Sequence, residues 1–209
     1  MRDLDLHALF LFNVTDTMAQ PWADAGITCW CVDLQHPKGE RREGNIIRVG
    51  ADVLRYTPPM RRYVFGFAFP PCTDLAVSGA RWFAGKGLYA LADAITLFAR
   101  AAEVMEALDA PYGIENPVST ISSYWRKPDY SFDPCDYAGY PGGEGDTYTK
   151  KTCLWTGGGA SSCRRRGAWT RPMAAECTCC RLLPSAPTCA APRRPASPAP
   201  RSRRTMRAH

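Results

Sequence analysis

The sequence predicts an α/β fold with a doubly wound, mostly parallel sheet, and three observations carry that expectation. The apolar runs at 6–12, 27–32 and 63–69 are continuous rather than alternating, as strands buried on both faces require. Between such runs lie helical segments, above all 88–108, where Leu88, Leu91, Ile95, Phe98, Ala102 and Met105 recur at three- and four-residue intervals. Polar and nucleophilic residues cluster at the ends of the apolar runs, where an open α/β sheet receives its ligands.

Each element follows from local chemistry. The run 6–12 reads as the first strand, and Asn13-Val14-Thr15-Asp16-Thr17 as the polar loop that leaves it. Residues 18–25 read as a helix closed by Gly26, and the second run ends on Asp33. Strand, polar loop, helix, strand and acid together open a nucleotide-binding βαβ unit. Residues 39–44 read as a charged loop, 46–50 as a strand, and Ala51-Asp52-Val53 as a further short strand candidate. The run 63–69 is the strongest strand, stopped by Pro70-Pro71 because proline lacks the amide donor a ladder needs. After the long helix, Pro111 leads into Tyr112-Gly113-Ile114, which ends at Glu115-Asn116-Pro117. Residues 118–146 are aromatic, glycine-rich and polar with little periodicity, and 148–155 read as one more strand.

Beyond Thr156 the composition turns to Arg, Pro, Ala, Ser and Cys with no apolar period, which predicts a disordered basic tail over 157–209. The expected organisation is therefore one domain over 1–156 followed by that tail. Out-of-frame reading of GC-rich DNA produces such a composition, so a frameshift near position 157 is one origin for it; a basic arm that contacts nucleic acid non-specifically is the other.

Charge divides at the same point. Through Thr156 there are 15 Lys and Arg against 19 Asp and Glu, whereas the remainder holds 11 Arg against Glu176 alone. The formal net charge of +6 is thus no argument that the folded part binds nucleic acid. No run of about 18 apolar residues exists, so no membrane span is expected. The N-terminus lacks the pattern of a secretory signal, which predicts a cytoplasmic, reduced protein with free thiols. Cys29 and Cys31 alternate within a strand and read as packing. Cys177, Cys179 and Cys180 lack the second pair or the histidines of a zinc site, so no metal is expected.

The groups at the strand ends have plain structural readings of their own. A cysteine after an apolar strand is commonly an inert core thiol, Glu-Asn-Pro is an ordinary turn, and Asp33 and Asp52 are solvated acids unless something recruits them. Their order along the chain adds a second reading.

Phe69-Pro70-Pro71-Cys72-Thr73 followed by Ile114-Glu115-Asn116-Pro117 resembles the cytosine-5 DNA methyltransferases, most closely the short members found in phages and prophages. Residues 121–128 and 148–152 also resemble that subgroup, and the likeness spans about residues 9–156. The resemblance implies a Rossmann-like, S-adenosylmethionine-dependent fold in a bacterial cytoplasm, acting on double-stranded DNA as a monomer. It implies that Cys72 is the nucleophile that adds to carbon 6 of a flipped cytosine, with Glu115 at ring nitrogen 3 and Asn116 beside it. It implies S-adenosylmethionine contacts from Phe12, Asn13, Thr15, Asp33, Asp52 and Pro70, and DNA contacts from Ser78, Tyr124, Arg126, Lys127, Lys150 and Lys151. With no large recognition domain present, 118–148 is the region left to touch DNA.

The chain departs from the family in three places. The loop after the first strand holds no glycine, which predicts weakened or altered S-adenosylmethionine binding. Lys150 and Lys151 stand where relatives carry paired arginines, and the tail replaces the segment that completes the fold. Two further readings stay open: an inactive methyltransferase fold contacting nucleic acid through its tail, and a methylase of RNA or of a free pyrimidine nucleotide.

Overall fold

The computed structural model describes residues 5–139 and 145–158. Ten helices and strands are used below: β1 Leu6–Leu11, α1 Gln20–Asp24, β2 Thr28–Glu43, β3 Ile46–Gly50, β4 Arg62–Ala68, α2 Phe83–Glu106, β5 Tyr112–Pro117, α3 Ile121–Tyr124, β6 Tyr130–Phe132 and β7 Thr152–Gly157. They form one seven-stranded sheet in the order β3-β2-β1-β4-β5-β7-β6. Strands β1, β2, β4 and β5 run parallel, and β7 is antiparallel to both β5 and β6. The architecture is α/β and Rossmann-like, as the continuous apolar runs predict.

Period-two alternation splits even these fully buried strands between two cores. Leu9, Leu11, Trp30, Val32 and Ile114 face α2, together with Ala94, Phe98, Ala101 and Met105 from that helix. Ala8, Phe10, Cys29, Cys31, Phe65 and Phe67 face the other way, against Ala19 and Ala23 around α1. Helices on opposite faces are what crossovers leading away from the centre in opposite directions demand, so the sheet is doubly wound. Phe98 meets Trp155 edge-on at 5.3 Å and Trp125 at 5.8 Å, contacts worth about 0.5–1.5 kcal/mol each beyond simple burial.

Two expectations about the elements are corrected. Residues 39–44 are not a loop. Up to Asp33, β2 pairs in parallel register with β3 (Cys29 with Ile46, Asp33 with Gly50). The register then runs backwards, from Lys38 with Gly50 to Glu43 with Ile46, so 38–43 return along the outer side of β3 and close through a Gly44-Asn45 turn. All of 38–43 are exposed and mostly charged, a composition that suits a sheet edge protected from further pairing. Gly50 is required here, because a Cβ would lie 2.3 Å from the Pro37 carbonyl oxygen and 2.6 Å from that of His36. Ala51-Asp52-Val53 is not a strand: Asp52 opens a turn, with its carbonyl oxygen accepting from the Arg55 and Tyr56 amides.

The long helix begins five residues before its apolar period, and Gly87 (φ 78°, ψ 177°) breaks it after one turn. That left-handed backbone suits glycine alone among common residues. The region 118–148 contains α3, β6 and a 3-10 turn at Pro134–Tyr137. No helix among the described residues is long and apolar enough to cross a membrane. The tail expected to be disordered lies outside the described residues, apart from Gly157 and Gly158.

Candidate active site

Strand order reverses between β1 and β4, so the connections leaving these neighbours diverge and open a crevice between them. On one side lies the loop 12–17, and on the other Phe69-Pro70-Pro71-Cys72. The Phe69 amide donates to the Leu11 carbonyl oxygen at 3.1 Å, which carries the ladder to the edge of the crevice.

The glycine-free loop adopts left-handed backbone without glycine. Phe12 has φ 56° and Asp16 has φ 58°, conformations that cost a residue bearing a Cβ about 1–2 kcal/mol. Local bonds hold the loop in that shape. The buried Asn13 accepts the Asp16 amide through Oδ1 at 3.2 Å, and its carbonyl oxygen accepts from His36 Nε2 at 2.9 Å. Arg48 of β3 donates through Nε to Asp16 Oδ2 at 2.7 Å. Thr15 is exposed at the tip. Asp16 belongs to the loop that the sequence marks, whereas His36 and Arg48 are not marked, since nothing in the sequence couples positions 13, 36 and 48.

Asp33 lies at the end of the parallel half of β2, 8% exposed, with Oδ1 accepting the Gln35 amide at 2.8 Å. Asp52 lies just beyond β3 and accepts the Leu54 amide at 3.0 Å. Each acid thus has one oxygen engaged by its own turn. Loop 12–17, Asp33 and Asp52 follow three adjacent strands at the same end of the sheet.

On the other side of the crevice, Cys72 is half-buried and starts a helical turn whose Leu75 and Ala76 amides donate to its carbonyl oxygen at 3.0 and 2.8 Å. Asn116, fully buried at the end of β5, donates from Nδ2 to the buried Pro70 carbonyl oxygen at 2.9 Å. Its Oδ1 is buried with no protein partner, as are Ser119 Oγ and Thr120 Oγ1 on the segment that follows. That segment is fastened to the Cys72 turn by the Ala76–Ser119 bridge and by the Val77 amide on the Val118 carbonyl oxygen at 3.0 Å. Lys86 closes the same turn from the far side, through the Thr73 carbonyl oxygen and Asp74.

Glu115 pairs with Leu154 in the register between β5 and β7. Burial raises its carboxyl above the usual glutamate range, and the charge of Lys150 works against that rise. Cys29 and Cys31 contrast with Cys72: both are buried, and burial pushes the Cys29 thiol up to about 12 and the Cys31 thiol higher still. They are packing residues, as their alternation suggests.

The expected DNA contacts fall at two ends of the molecule. Lys150 and Lys151 are exposed just before β7, where Thr152 pairs with Pro117, and so lie at the Glu115 end of β5. Ser78 is exposed on the 3-10 turn Val77–Trp82 that follows the Cys72 turn. Tyr124 is 71% exposed at the end of α3. Arg126 is instead engaged by its own protein: it donates to Asp129 Oδ2 at 2.7 Å and to the Thr156 carbonyl oxygen at 2.8 Å. Burial acts to raise the Asp129 carboxyl, but Arg126 and Thr156 outweigh it and hold it below the usual range. Thr156 pairs with Gly113 at the start of β5, so Arg126 and the adjacent Lys127 stand near the opposite end of the strand from Asn116.

No family model matches the chain, and no curated protein matches it. Among solved structures it is similar to the CcbJ methyltransferase from Streptomyces caelestis, at 14% identity and a TM-score of 0.31, over 61% of this chain and 48% of that one. The chain thus spans about half the length of that protein. At so low a score the fold assignment rests on this chain's own strand order and crossovers.

Proposed function

We propose that the chain is an S-adenosylmethionine-dependent methyltransferase acting on carbon 5 of cytosine in DNA. One observation carries the reading. Cys72 follows β4 and Glu115 lies in the last half of β5, its parallel neighbour, and Asn116 ties the two strand ends together through Pro70. A thiol and a carboxyl carried at the same end of neighbouring strands suit a pyrimidine ring, which needs a nucleophile at carbon 6 and a hydrogen-bond partner at nitrogen 3.

The Cys72 thiolate would form a bond to carbon 6, pushing electron density to carbon 5. Protonated Glu115 would donate to nitrogen 3 and stabilise the charge that develops there, a role its raised pKa favours. Once carbon 5 has taken the methyl group, loss of its proton to solvent would let the Cys72 thiolate leave and restore the ring. A target carbon inside the duplex must be flipped out to meet the sulfur. Lys150 and Lys151, at that end of the sheet, suit backbone phosphates.

The crevice fits S-adenosylmethionine in its donor set. Asp33 and Asp52 each keep one carboxylate oxygen clear of their own turns, and the positive φ values at Phe12 and Asp16 give the loop the shape glycine would. Asp33 would hold ribose hydroxyls, Asp52 the adenine side, and Phe12, Asn13, Thr15 and Pro70 the walls. When bound, the cofactor supplies the methyl group.

The test offers labelled S-adenosylmethionine with duplex DNA, RNA and deoxycytidine monophosphate as separate acceptors. The reading requires label at cytosine carbon 5 in DNA. Label in RNA or nucleotide alone would move the substrate class, and no label in any acceptor would favour an inactive fold.

A further inference from the structure

Lys86 takes no part in the chemistry proposed above, yet its ammonium reaches the two residues that follow Cys72. Nζ donates to the Thr73 carbonyl oxygen at 3.0 Å and to Asp74 Oδ1 at 2.6 Å. The pair is about one-third exposed on each side, 32% for Lys86 and 31% for Asp74. Lys86 is the last residue before the break at Gly87, so it belongs to a helical turn set apart from the body of α2. The first turn of the helix is thus separated from 88–106 by non-helical backbone at Gly87, and its Lys86 reaches the Cys72 turn.

The nucleophile loop is thereby gripped on both sides. Asn116 holds Pro70 before Cys72, and Lys86 holds Thr73 and Asp74 after it. The two grips differ in kind. The first is a neutral, buried hydrogen bond, whereas the second carries a positive charge. Without Lys86, the Thr73 carbonyl oxygen and the Asp74 carboxylate lose a shared donor, and the turn after the sulfur loses its second anchor.

We infer that Lys86 is a positioning residue for Cys72: through Thr73 and Asp74 it holds the turn that follows the sulfur. The inference rests on reading Cys72 as the nucleophile.

The experiment uses the full chain and the variants K86M, K86R, D74N and K86M/D74N. The rate at which iodoacetamide alkylates Cys72 at neutral pH is followed by mass spectrometry of the Cys72 peptide, alongside kcat and KM for DNA. Freeing the turn after the sulfur should change the alkylation rate at least about threefold in K86M and lower kcat about tenfold. K86R should stay near the wild type, and K86M/D74N should match K86M, because both substitutions break one tie. Loss of activity should fall on kcat, with KM for DNA changed by no more than about twofold. Unchanged alkylation in K86M would overturn the inference. So would a K86M/D74N protein that loses much more than K86M, because the two residues would then act on Cys72 independently. Should K86M fail to fold, D74N alone decides: it weakens the same tie and should lower kcat with KM for DNA little changed, and an unchanged kcat would contradict the inference. A wild type that methylates no acceptor would defeat the methyltransferase reading, while the alkylation rates would still report on Lys86.

Discussion

Asn116 Nδ2 donates to the Pro70 carbonyl oxygen at 2.9 Å, and neither residue is open to solvent. This single bond joins the end of β5 to the loop after β4, and so fixes where Cys72 stands relative to Glu115. Within a low-dielectric interior its loss leaves a buried carbonyl without a partner.

Replacing Asn116 by Ala should therefore lower stability by about 1–3 kcal/mol, read from urea denaturation. The same variant should slow alkylation of Cys72 or alter its pattern, because the loop loses its buried anchor. A variant as stable as the wild type would mean that the Pro70 carbonyl finds another donor.

Glu115 makes a prediction with a definite sign. Its carboxyl holds its proton to higher pH in the folded state than in the unfolded chain, because burial opposes the charge. Between the two pKa values the folded protein binds more protons than the unfolded one, so stability falls as pH rises through that window. E115Q removes the term. It should be more stable than the wild type at neutral pH, with the difference vanishing below the unfolded value near 4.5, as denaturation curves across acid to neutral pH would show. If the protonated carboxyl is the active form, methyl transfer should decline as pH rises through the raised value.

The backbone at Asp16 separates strain from charge. D16A and D16G both lose the Arg48 bond, but only glycine adopts a φ of 58° without a Cβ penalty. The extra freedom of glycine in the unfolded chain offsets part of that gain, so D16G should exceed D16A in stability by about 0.5–1 kcal/mol. Equal stabilities would show that the loop relaxes once the ion pair is gone.

Burial in the sequence pattern made the sheet legible, and exposure concealed the rest. The runs ending at Asp33, Pro70 and Glu115 are strands because they are apolar on both faces, and the acids and cysteine at their ends mark one edge of the sheet. The returning strand 38–43 left no such trace, since an edge segment with every residue exposed carries no apolar period. The start of α2 was hidden for a related reason: its first turn, 83–86, is largely exposed, and Gly87 shifts the phase between it and the buried stripe.

The site was legible where one residue type suits one chemistry and obscure where pairs decide. Cys72 and Glu115 stand out singly, but Lys86 gains meaning only through Asp74, and Arg48 only through Asp16. Arg126 shows the converse. A basic residue beside aromatics suggests a phosphate contact, whereas Asp129 and Thr156 already occupy its guanidinium. The missing glycines mattered less than expected for backbone shape, because Phe12 and Asp16 supply the left-handed turns under local restraint.

Attack of Cys72 on a cytosine in DNA is the step from which the proposed chemistry follows. Duplex DNA carrying 5-fluorocytosine, incubated with the full chain and S-adenosylmethionine, tests it most directly, because fluorine at carbon 5 blocks release of the enzyme. The expected result is a covalent protein–DNA adduct that requires S-adenosylmethionine, maps to the Cys72 peptide and is absent in C72S. An adduct that persists in C72S, or no adduct from a wild-type protein shown to be folded, would contradict it.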